Sequence, residues 1–99
     1  MKKLLIASMT AGLLFSVSAN ANQAPASQAT CVGCHSADGN SVVPNFPKLA
    51  GQHAAYIEKQ LKDFRGGFRK DATMAPFAKN LSDTDIKELA AWFSSQKAK

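Results

Sequence analysis

Cys31 and Cys34 are the only cysteines in a chain of 99 residues, with two residues between them and His35 directly behind. That cluster constrains the fold more than anything else in the sequence. A domain this short buries a limited core and usually depends on a disulfide, a metal or another staple. The spacing admits several chemistries. A dithiol redox site expects a strand before it and an α/β pattern around it, and neither is visible. A structural zinc site wants four ligands, and beyond the cluster only His53 and scattered carboxylates are on offer. A disulfide across two residues closes so small a loop that it stabilises little.

The first 21 residues have a different character. Met1-Lys2-Lys3 is basic, Leu4 to Val17 is apolar apart from small or hydroxyl residues, and Ser18-Ala19-Asn20-Ala21 puts small residues third and first before a cut after Ala21. These are the three parts of a secretory signal peptide. The apolar run falls short of the roughly 20 residues of a membrane span, and no cysteine lies near the cut to carry a lipid. The expectation is a cleaved signal over 1–21 and one exported, periplasmic domain over 22–99, with no stable membrane insertion. Losing Lys2 and Lys3 lowers the formal charge of +5 by two. Lys and Arg then alternate with Asp and Glu, unlike the clustered basic stripe of a nucleic-acid binder. A diffuse positive face suits docking on an acidic partner, with Lys48, Lys59, Lys62, Arg65, Arg69, Lys70 and Lys79 as candidates.

Helical periodicity dominates what remains. A polar, Ala-rich start leads into a short helix ending around the Cys pair, and Asp38-Gly39-Asn40-Ser41 is turn chemistry. Pro44 and Pro47 each disfavour the helical region for the residue before them. From His53 to Arg65, Tyr56, Ile57, Gln60, Leu61 and Phe64 form one stripe, with Glu58/Lys62 and Lys59/Asp63 pairs on the solvent side. Gly66-Gly67 ends that helix. Residues 68–80 read as irregular around Pro76. Ser82 is a good N-cap, Asp83 and Asp85 favour the first turn, and Ile86, Leu89, Ala90 and Phe93 give a buried face. Three helices with long loops result, all-α, and such loops need something internal to wrap around.

Cys31-Val32-Gly33-Cys34-His35 matches the haem-attachment pattern of c-type cytochromes. In the order of its parts the chain resembles the class I cytochromes c, and most closely the small bacterial forms, including either half of the di-haem ones. The resemblance runs from the helix before Cys31 to the last helix. It implies a small cytochrome c fold wrapped around one haem c held by thioethers to Cys31 and Cys34, with His35 as an axial ligand of the iron. Met74 is the only methionine outside the first 21 residues, sits beside Pro76, and is the candidate for the opposite ligand; His53, the other imidazole, is its rival. Pro44 matches the family's proline whose carbonyl orients the proximal histidine, with Pro47 as the alternative. Trp92 would pack the last helix on the first, while Phe46, Leu49, Tyr56, Leu61, Phe64, Phe77 and Phe93 would line the haem pocket or the core. The implied function is transfer of single electrons between redox proteins of a respiratory chain, with no catalytic residues, either as a free carrier or as a haem subunit of a larger oxidoreductase.

Overall fold

The computed structural model describes residues 23–99, so the expected signal segment lies outside the described residues. A 3-10 turn over Ala26–Thr30 runs into four helices: α1 Val32–His35, α2 Ala54–Gly66, α3 Met74–Ala78 and α4 Asp83–Ser95. Among the described residues there is no strand, and no helix is long and apolar enough to cross a membrane.

α2 and α4 pack against each other and carry the core. Ile57 of α2 meets Leu89, Ala90 and Phe93 of α4, with Leu49, Leu61, Leu81, Trp92 and Cys31 closing around them. Burying a side chain such as Leu89 or Phe93 contributes about 1.5–3 kcal/mol. The ends of both helices are built as their sequences suggest. Gly67 takes the left-handed conformation at φ +81°, open to glycine at no steric cost. At α4, Ser82 Oγ accepts the Asp85 amide while the Asp85 carboxylate accepts the Ser82 amide, so two otherwise unpaired donors are satisfied reciprocally. Arg65 links the two helices by donating to the Leu81 carbonyl and to Asp83 at 2.7 Å.

The attachment segment is helical, in keeping with the short helix expected around the Cys pair: Cys31 caps α1, and its carbonyl receives the His35 amide at 2.9 Å. One departure from the sequence reading stands out. The stretch read as irregular around Pro76 contains α3, with the proline as its third residue. The first amides of a helix have no intrahelical partner, so proline in the first turn forfeits nothing. The short start does pack on the last helix: Trp92 Nε1 and the buried Gln28 Nε2 both donate to the Ala37 carbonyl, at 3.0 and 2.7 Å.

Gly39 fixes the path of the loop after α1. Its carbonyl accepts the amides of Leu49 and Ala50, its φ is +80°, and a Cβ there would lie 2.7 Å from the Ala50 nitrogen and 2.8 Å from Phe93 Cδ1. Only glycine satisfies both the dihedral and the space. The segment ahead of α2 is thereby pressed onto α4 and forms one wall of the cleft described next.

Candidate functional site

A cleft of about 360 Å³ opens between α1, the 45–49 segment, α2 and α3, within the size range of small-molecule and cofactor sites. Cys31, Cys34 and His35 line one wall and Met74 another; Phe46, Leu49, Tyr56, Leu61, Phe64, Phe77 and Phe93 supply apolar surface between them. The seven apolar residues read from the sequence therefore meet here. So do Ile57 and Leu89, which belong to the same helical stripes and were read only as core.

The local backbone explains the arrangement. Cys31 and Cys34 are three apart on one helical turn, and residues so spaced share a face. Neither is in a disulfide. Burial raises the Cys31 thiol above its ordinary pKa, and the neighbouring Cys34 adds to the effect against a hydrogen bond from Thr30. His35 is only 6 % exposed, and a buried imidazole needs partners for its ring nitrogens. Its Nδ1 lies 2.8 Å from the Pro47 carbonyl oxygen. A carbonyl only accepts, so Nδ1 donates in this bond, and in the neutral ring Nε2 keeps its lone pair.

The contact falls on Pro47, the alternative that the sequence left open, and not on Pro44. Val43 to Phe46 is a turn closed by the Phe46 amide on the Val43 carbonyl at 3.0 Å. Pro44 occupies its first corner, where a fixed φ is favoured, and it is exposed and absent from the cleft wall. Pro47 follows the turn, where the chain has reversed toward α1. His53, the other imidazole, caps α2, is exposed, and does not line the cleft.

Arg69 and Asp71 were missed as cleft residues. Arg69 lies over the Phe64 ring, 4.6 Å from its centroid, and donates to Gln60 Oε1 at 2.7 Å. Asp71 Oδ1 accepts the amides of Thr73 and Met74 at 2.9 and 2.8 Å, and these bonds hold its carboxyl below its ordinary pKa. The signal for Asp71 was present, since an aspartate two residues before a backbone amide commonly closes such a turn.

Two free thiols on one turn, a buried imidazole with its outer nitrogen engaged and a thioether across an apolar cleft fit a covalently attached haem. They define the class as c-type haem proteins. The chain belongs to the cytochrome c family: the family model described as Cytochrome c matches residues 22–97. The family's cofactor is haem c, and Cys31, Cys34 and His35 stand at the spacing of its attachment motif.

Among its relatives in the family are cytochromes c4. The chain is 46 % identical to cytochrome c4 of Pseudomonas aeruginosa, an alignment covering 98 % of this chain and 50 % of that protein. It superposes on reduced cytochrome c4 from Pseudomonas stutzeri with a TM-score of 0.71 and 45 % identity, covering 78 % of this chain and 47 % of that one. For cytochrome c4 of Acidithiobacillus ferrooxidans, whose structure is described as supporting complex-induced tuning of electron transfer, the TM-score is 0.63 at 42 % identity, with 66 % and 38 % covered. The chain thus has the small cytochrome c fold and resembles one half of these di-haem proteins, spanning half or less of their length.

Proposed function

We propose that the chain transfers single electrons between redox proteins through one haem c, bonded to Cys31 and Cys34 and ligated by His35 and Met74. A haem held there would supply one-electron chemistry between its ferric and ferrous states. The protein's part is to hold, orient and shield. The Pro47 carbonyl fixes the His35 tautomer, aims its free nitrogen and makes the imidazole a better donor. A thioether is a weaker donor than an imidazole, so Met74 in place of His53 favours the ferrous state and raises the potential. The apolar wall from Phe46, Leu61, Phe64 and Phe93 excludes water and disfavours the additional positive charge of the ferric state.

Residues 1–21 are taken as an export signal and 22–99 as the working domain in the periplasm. The family match beginning at residue 22 supports that division. The observation carrying the functional reading is the shared cleft: both thiols, the Pro47-tethered His35 and Met74 line one apolar space. Haem staining of a denaturing gel tests it. The native chain is expected to stain, and Cys31→Ala with Cys34→Ala to give no stain; a stained double variant rules out the thioether attachment.

A further inference from the structure

We propose that Asp71 is the positioning residue for Met74, holding its backbone where the thioether reaches the iron; the inference rests on Met74 being the ligand. Three successive amides end on Asp71. Its carboxylate accepts those of Thr73 and Met74, and its main-chain carbonyl accepts that of Ala75 at 3.0 Å. Pro76, next in line, has no amide hydrogen. One residue thus satisfies every free donor at the start of α3, whose own N-cap, Thr73, contributes no side-chain bond.

α3 is five residues long, far below the roughly 12–15 at which a helix begins to persist unaided. Something outside it must hold it. At one end Ala78 is fully buried; Met74 is at the other end, where Asp71 is the tether. An iron–thioether bond is weak enough that looser backbone here shows as a larger fraction of molecules with Met74 detached.

Imidazole titrated into the ferric holoprotein reads that fraction, because it binds only when Met74 has released the iron, and apparent affinity scales with the competent population. Asp71→Ala removes two cap bonds and is expected to raise imidazole affinity about 5- to 30-fold, the effect of losing a good cap. Asp71→Asn keeps an acceptor oxygen and should stay within about threefold of the native protein. Ser82→Ala removes a cap of similar strength from α4, away from the cleft, and should leave the affinity unchanged. An Asp71→Ala protein with native affinity overturns the inference. A Ser82→Ala protein whose affinity rises equally does so too, because general loosening then explains both. Met74→Ala separates this inference from the ligand assignment: it should bind imidazole more tightly than any other variant, and if it matches the native protein the assignment fails and the role of Asp71 falls with it.

Discussion

At the scale of single residues, the chemistry-bearing side chains were the most legible part of the molecule. Cys31, Cys34 and His35 declare themselves by spacing, and Met74 by being the one methionine left after the first 21 residues. Pro44 against Pro47 was not legible, because it depends on which proline takes the corner of the Val43–Phe46 turn. Either ordering satisfies the local preference of a proline for extended or turning backbone. Gly39 is the residue whose importance only packing reveals. Gly39→Ala places a methyl against the Ala50 backbone and the Phe93 ring and forces a left-handed alanine. Strain of about 1–2 kcal/mol and crowding of about 1–3 kcal/mol add, so the urea midpoint of the holoprotein should drop accordingly. An unchanged midpoint would mean the loop relaxes freely.

Among the helices, α2 and α4 were readable because each has a long apolar stripe with a start or stop signal beside it. α3 was hidden. Five residues with a central proline carry no periodicity, and its start is built by a carboxylate outside it. The contact between α2 and α4 carries a pH dependence of defined sign. Arg65, by hydrogen bond and charge, holds the Asp83 carboxyl below its ordinary value. Because the folded pKa is depressed, the stabilisation is fully present above the unfolded value of about 3.9 and is lost as pH falls through the folded one. Asp83→Asn should therefore be less stable than the native protein near neutrality, with the gap closing in acid. Urea midpoints measured across that range check this, and a gap independent of pH would contradict it.

For the molecule as a whole, net charge suggested a positive docking face, and the sequence offered seven cations for it without distinguishing among them. The structure narrows the set. Lys59 pairs with Asp63, Lys62 with Glu58 and Arg65 with Asp83, whereas Lys48 and Arg69 stand on the wall of the cleft. Association with an acidic redox partner should weaken with added salt, since the screening length falls from about 10 Å at 0.1 M to about 3 Å at 1 M. Binding measured at increasing ionic strength should show that decline, and a flat response would remove electrostatic steering from the account. The cofactor also explains the long loops: with only a small core between α2 and α4, a macrocycle in the cleft supplies the staple that the sequence lacked.

The central claim is that one haem is gripped by two sulfurs and closed on both faces by His35 and Met74. The absorption spectrum of the oxidised native protein, recorded beside Met74→Ala, tests it most directly. The expected result is a c-type chromophore that stays with the polypeptide on acid extraction and shows a weak sulfur–iron band in the far red that Met74→Ala abolishes. A colourless protein, or a band that survives the loss of Met74, would contradict it.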